Sequence, residues 1–256
     1  MLGPLLMGAH DWDAASYKRV AAPVWGWGWA LVQRLDLRGN EIVLDAGCGS
    51  GEVTRELLAR VPDGRVIGVD VSPSMISQAR ATFGDAASWQ VGDLLELELE
   101  QAVDVVFSNA TFHWIPDHDR LFARVFAALR PGGRLLAQCG GRGNVATVVA
   151  ALETAAREPP FAEHLAGLRV WNFQGPDETV TRLERAGFVD AEAGLHTELV
   201  HPDHAGEYVA TMIIGPHLDR LPPELRDVLV ERVVGRLPDP ATIEYVRLTV
   251  SARRPD

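Results

Sequence analysis

Three features of the chain carry chemistry. Asp45-Ala-Gly-Cys-Gly-Ser-Gly51 places Gly47, Gly49 and Gly51 on alternate positions directly after an acid. Glycines so spaced remove the side chains that would keep a ligand off the backbone, and they let the chain turn sharply. Asp70 follows 19 residues after Gly51, where a carboxylate can accept hydrogen bonds from both hydroxyls of a ribose. His113 lies further on in Asn109-Ala-Thr-Phe-His-Trp114. Its imidazole ordinarily titrates near neutrality and suits proton transfer to or from an acceptor hydroxyl or amine; the alternative is a histidine that only shapes a pocket.

These residues need elements to hold them. Glu41–Asp45 is a β-branched run ending in an acid, and Val53, Leu57, Leu58 and Val61 mark one face of a helix over about 51–61. Arg65–Asp70 reads as a second strand, with Ser72 and Pro73 opening the next helix. Further strands are expected at Ser88–Val91, Val103–Ser108 and Arg134–Gln138, with a helix around Leu121, Val125 and Leu129 that Pro131-Gly-Gly133 stops. Beyond Gly140 the rhythm weakens into a helix and loops at about 141–175, a helix from Asp177 to near Gly187 and helical material at 203–238. Val189–Val200 and Ile243–Ala252 are expected to close the sheet.

Strand–helix alternation at this spacing implies an α/β fold: a doubly wound, Rossmann-like, mostly parallel seven-stranded sheet with helices on both faces and a helical lid. Such sheets bind ligands at the carboxyl ends of their strands, where the winding reverses. The chain divides into an N-terminal helical lid segment (1–40), a cofactor-binding core (41–140), and lid insertions plus closing helix and antiparallel strands of the same domain (141–256).

Composition narrows the partners. The chain carries 24 basic and 35 acidic residues, a net charge of −11, and no basic run that would gather on one face for a phosphate backbone. Nucleic acid is therefore not expected. Cys48 and Cys139 have neither metal-site nor disulfide spacing, and His201, His204 and His217 lack tight ligand spacing, so no metal is expected. Leu2–Met7 is too short, and lacks the preceding basic residues, for a signal peptide. No window of about twenty apolar residues suggests a membrane span. A cytoplasmic protein acting on a small molecule is the resulting expectation, with the oligomeric state open.

Two cofactor classes have a ribose for Asp70, the nicotinamide dinucleotides and S-adenosylmethionine. A dinucleotide turn has G-x-G-x-x-G with pyrophosphate at the helix start. The spacing here is G-x-G-x-G, and Asp45 just before it would repel a pyrophosphate while supporting a cationic aminoacyl group.

The full set of segments is specific. Val43–Gly51, Gly68–Met75, Gln90–Leu94 and Asp104–Trp114, with Leu129-Arg-Pro-Gly-Gly133 after them, resemble the ordered motifs of class I S-adenosylmethionine-dependent methyltransferases. The Ser108-Asn-Ala…His113-Trp-Ile-Pro-Asp117 run, with Trp12 and Tyr17, resembles the trans-aconitate methyltransferase-like group of small-molecule enzymes. The resemblance spans about residues 10–140.

It implies a cofactor site of Asp45, Ala46, Gly47, Cys48, Gly49 and Gly51 at the methionine end and Asp70 on the ribose. Val71, Met75, Asp93 and Leu94 would surround the adenine; Ser108, Asn109 and Ala110 would line the amino-acid end, and Tyr17 would close the pocket. Trp12, Tyr17, His113 and Trp114 are the substrate candidates, with His113 the catalytic one. Trp25, Trp27 and Trp29 form either an aromatic wall over the acceptor or a helix burying indoles against the sheet. The expected reaction is methyl transfer to a carboxylate or hydroxyl oxygen of a small molecule. Transfer to nitrogen or carbon, a nicotinamide-dependent oxidoreductase and a non-catalytic cofactor-binding protein are the alternatives.

Overall fold

The computed structural model describes residues 10–256; the leader reading of Leu2–Met7 lies outside them. Along the chain run α1 (Ala14–Val20), α2 (Ala22–Val32), β1 (Ile42–Ala46), α3 (Thr54–Arg60), β2 (Arg65–Asp70), α4 (Pro73–Phe83), β3 (Ser88–Val91), β4 (Val103–Asn109), α5 (His118–Ala128) and β5 (Leu129–Gly140). After these come α6 (Ala146–Ala156), α7 (Ala162–Leu165), α8 (Pro176–Ala186), β6 (Val189–Val200), α9 (Ala205–Met212), α10 (Gly215–Leu218), α11 (Pro223–Val234) and β7 (Ile243–Arg253). The sheet order is β3-β2-β1-β4-β5-β7-β6. The first five strands pair in parallel, and β7 runs antiparallel to both β5 and β6.

The central strands are buried on both faces, and their alternate residues feed opposite sides. Leu44 and Val106 join Leu121, Phe122 and Leu183 of α5 and α8 on one face. Val43, Val105 and Phe107 join Leu31, Leu57 and Ile76 of α2, α3 and α4 on the other. A third apolar cluster joins α6, α9 and α11 to Ile243 and Tyr245 at one end of β7.

Two expectations change in detail. Strand β5 begins at Leu129, five residues before the expected start, because Leu129 pairs with Val103 before the register jumps to Val105 opposite Arg134; the Pro-Gly-Gly segment is a bulge within the strand, not a separator. The N-terminal segment also splits. Tyr17 of α1 and Val24 of α2 reach the cavity described below, and the rest of α2 packs into the core. Of the three indoles on α2, Trp25 and Trp29 pack against the sheet-face cluster, and Trp27 packs under Tyr245 at 5.0 Å.

Candidate active site

Strands β1 and β4 are neighbours whose following helices cover opposite faces, so the crevice opens at their carboxyl ends. Between β1 and α3 the Gly-rich turn is tied to β2: the Gly47 and Cys48 amides donate to the Val69 carbonyl at 2.8 and 3.1 Å. Gly47 has φ +82° and a Cβ there would fall 2.0 Å from the Thr111 hydroxyl oxygen, so both conformation and space demand glycine. Gly49, at φ +53°, has nothing within 4 Å of a built Cβ and lines the cavity. Its bare backbone is the surface that a ligand's small polar end can approach, and its amide donates to Asp70 Oδ2 at 2.8 Å.

A cavity of about 600 Å³ extends from this turn, within the usual range for small-molecule sites of about 300–1,000 Å³. At one end stands Asp70, which takes the Ser72 amide at 2.9 Å on its other oxygen; burial raises its carboxyl above the ordinary value. Val71, Met75 and Leu94 supply apolar wall beside it. Asp93 accepts the Leu95 amide on Oδ1 at 2.8 Å. A carboxylate for vicinal hydroxyls, flanked by apolar side chains and a second carboxylate for an amino group, suits an adenosine.

Behind the turn a smaller chamber of about 40 Å³ is bounded by Asp45, Cys48, Tyr17 and Asn109. Burial pushes Asp45 up to about 7, although the Thr54 hydroxyl donates to it at 2.7 Å. Burial likewise pushes the Cys48 thiol up, which leaves it an inert packing group.

Of the residues assigned to the cofactor, Ala46, Gly51 and Ser108 line neither cavity. Ser108 donates its hydroxyl to the Ala46 carbonyl at 2.6 Å and so joins β4 to β1, with both residues buried. A Cβ on Gly51 would meet Trp89 and Phe83 at 2.8 and 2.9 Å, so this glycine serves helix packing. Asn109 and Ala110 do line the cavity. Ala110 sits at φ +59°, a left-handed conformation costly for a residue with a side chain, and its amide donates to Gln138.

Trp12, Tyr17, His113 and Trp114 line the same cavity, with Trp12 held beside the start of α4 by the Asp11 bonds to Ser72 and Ser74. The surroundings of His113 favour a hydrogen-bond donor over a base. Its Nδ1 accepts the Gly140 amide at 3.2 Å, which fixes the tautomer with the proton on Nε2. Burial first, then the charge of Arg247, holds its pKa well below the ordinary value. The ring is neutral and its remaining nitrogen is a donor.

The cavity also holds a buried cation that no local sequence motif marked. Arg247 on β7 is 1% exposed. Its Nε reaches Gln138 Oε1 at 3.3 Å, a second nitrogen reaches Asn109 Oδ1 at 3.5 Å, and its guanidinium carbon lies 4.6 Å from the Trp27 ring centroid. Neither polar partner is an acid. Tyr245, two residues earlier, accepts the Tyr208 hydroxyl at 3.0 Å and lines the cavity. Trp171 was also missed; its loop is held down by the Asn172 amide on the His113 carbonyl at 2.8 Å. The signal for Arg247 was its place in the alternation of β7, on the face shared with Ile243 and Tyr245. No sequence period marked the loop.

Comparison with known proteins places the chain among relatives of one chemistry. Residues 43–133 match the family model described as a methyltransferase domain. A trans-aconitate 2-methyltransferase of Methylobacterium nodulans is 30% identical over 263 residues, covering 95% of this chain and 98% of that protein. One from Variovorax paradoxus is 32% identical, covering 84% and 85%. Among solved structures, a phosphoethanolamine N-methyltransferase of Haemonchus contortus holding S-adenosylhomocysteine superposes with a TM-score of 0.62 at 20% identity, over 95% of this chain and 57% of that one. A geranyl diphosphate C-methyltransferase of Streptomyces coelicolor gives 0.53 at 18%, over 90% and 78%. These two show the fold alone, and they carry different acceptor atoms on it.

Proposed function

The chain belongs to the class I S-adenosylmethionine-dependent methyltransferases, in the group that includes the trans-aconitate 2-methyltransferases, and from that premise we propose that it methylates a carboxylate oxygen of a small organic acid. The observation that carries the acceptor is Arg247: a guanidinium 1% exposed, facing the cavity, with no acidic partner among the described residues. An arginine stays charged when buried, and an unpaired buried charge costs several kcal/mol. A carboxylate entering the cavity supplies the missing partner in bidentate geometry. The trans-aconitate relatives support an acid as acceptor.

Asp70 would hold the ribose hydroxyls, Asp93 the adenine amino group, and the Gly47–Gly49 backbone with Asn109 the amino-acid end. When bound, the cofactor supplies an activated methyl group. The protein's own work is alignment and exclusion of water. Arg247 fixes the acid, beside the Tyr208–Tyr245 hydroxyl pair. His113 Nε2–H adds a further donor. A carboxylate oxygen already has a free electron pair, so no base is required, consistent with a neutral His113.

Among the described residues no helix is long and apolar enough to cross a membrane. The two buried free thiols, Cys48 and Cys139, support a cytoplasmic setting, and the net charge of −11 supports a small molecule over nucleic acid. The test is incubation with methyl-labelled S-adenosylmethionine and a panel of acids, phenols and amines. Label released by mild alkali, as from an ester, supports the reading; label confined to alkali-stable phenol or amine products sinks it.

A further inference from the structure

Arg247 accounts for one negative charge on the acceptor, and the rest of the cavity describes the acceptor's other end. Trp12, Trp114 and Trp171 line it and brace one another, with ring centroids 5.2 Å apart for Trp12–Trp114 and 6.5 Å for Trp114–Trp171. Phe173 stands behind them, nearly parallel to Trp171 at 11° and 5.7 Å and to His113 at 22° and 5.8 Å. Each ring is held by another, so the wall presents indoles of restricted freedom. Ile115, Met212 and Pro216 fill the gaps between them.

The charged side chains of the cavity are distributed unevenly. Asp70 and Asp93 stand at the adenosine end and repel further carboxylates. His10 has its Nδ1 2.5 Å from Asp219 Oδ2. Arg169 lines the rim but is exposed, where an ion pair is weak. Among the described residues that line the cavity, Arg247 is thus the one buried cation. A second or third carboxylate would lose its water against indole faces with no buried partner, which is costly. A flat apolar body would instead bury its area there in offset or edge-to-face contact with the rings.

We infer that the acceptor is a monocarboxylic acid with a planar, apolar, aromatic or conjugated body, its carboxylate on Arg247 and its body against Trp114 and Trp171. This rests on the reading of Arg247 as the carboxylate holder and departs from the three-carboxylate acid for which the relatives are named.

The test is isothermal titration of the full chain saturated with S-adenosylhomocysteine, using indole-3-acetate, trans-cinnamate and trans-aconitate as probes. Binding does not depend on finding the turnover substrate. The inference expects at least one aromatic monoacid to bind ten or more times tighter than trans-aconitate, and expects Trp171→Leu to weaken that monoacid about tenfold. Tighter binding of trans-aconitate than of either monoacid would overturn it while leaving the carboxylate reading intact. If Arg247→Met left the binding of all three acids within twofold, the carboxylate reading would fail and this inference with it.

Discussion

The guanidinium of Arg247 lies 4.6 Å from the centre of the Trp27 ring, stacked on an indole carried by the second helix of the chain. Two residues 220 positions apart in sequence (247 − 27) thereby set the charge of the acceptor end. The indole face stabilises the cation without neutralising it, and the neutral amides of Gln138 and Asn109 do the same. The arrangement keeps a full positive charge in a nearly dry place, which is unfavourable for the folded protein and useful to an anionic substrate.

Stability and activity should therefore separate at this position. Replacing a buried unpaired charge by an apolar side chain of similar length is neutral or stabilising, by roughly 1–4 kcal/mol in favourable cases. Arg247→Met is expected to hold or raise the melting temperature while acceptor turnover falls. A thermal melt lowered by many degrees would mean that Arg247 is a structural strut.

His113 gives a pH signature. Burial and the charge of Arg247 hold its pKa well below the ordinary histidine value, so no rise in activity should accompany its deprotonation in the ordinary histidine range. The pH profile of kcat at saturating substrates should lack a histidine limb. His113→Phe, which removes the Nε2 donor, should cost on the order of 10- to 100-fold, the worth of a hydrogen bond to a charged group. A limb between pH 6 and 7 that disappears in His113→Gln would restore the role of base.

Asp45 makes stability depend on pH with the opposite sign to most carboxylates. The folded protein holds its proton up to about pH 7, whereas the unfolded chain releases it near 3.8. Between those values the folded state binds more protons, so this contribution is full below pH 4 and is lost as the pH rises through 7. The loss is on the order of a few kcal/mol. Urea unfolding from pH 4 to 8 should show Asp45→Asn losing less stability than the native protein as the pH rises; parallel curves would contradict the assignment.

The sequence made the cofactor end legible because each of its residues stands at a strand end or a helix start. Asp70 and Asn109 close β2 and β4, Asp45 stands one residue before the end of β1, and Gly47 and Gly49 occupy a turn whose spacing is itself the signal. At Gly51 and Ser108 the same small residues serve close packing, of the turn on Phe83 and Trp89 and of β4 on β1. The acceptor end was opaque for a different reason. Arg247, Tyr245 and Trp171 meet His113 only through the antiparallel return of β7 and the 169–174 loop. Nothing local in the chain announces such long-range contacts. An arginine on the buried face of a strand was the one trace available.

The N-terminal segment is anchored by Asp11, which accepts the Ser72 hydroxyl at 2.5 Å and the Ser74 amide at 3.1 Å at the start of α4. These bonds hold its carboxyl below the ordinary value and place Trp12 over the cavity. Asp11→Ala should cost about 1 kcal/mol of stability, as loss of a helix cap does, and weaken S-adenosylhomocysteine binding about three- to fivefold by titration. Unchanged affinity would mean that the segment does not cover the site.

In the proposed reading one cavity holds the cofactor at Asp70 and the acceptor's carboxylate at Arg247. The most direct measurement is a pair of titrations, S-adenosylhomocysteine and then the acceptor acid, on Asp70→Ala and Arg247→Met. The account predicts that Asp70→Ala loses the first ligand by at least about 100-fold, the scale of a buried charged hydrogen-bonding group. Arg247→Met should keep the first and lose the acid by a similar factor. An Arg247→Met protein that binds and methylates the acid as the native one does would contradict it.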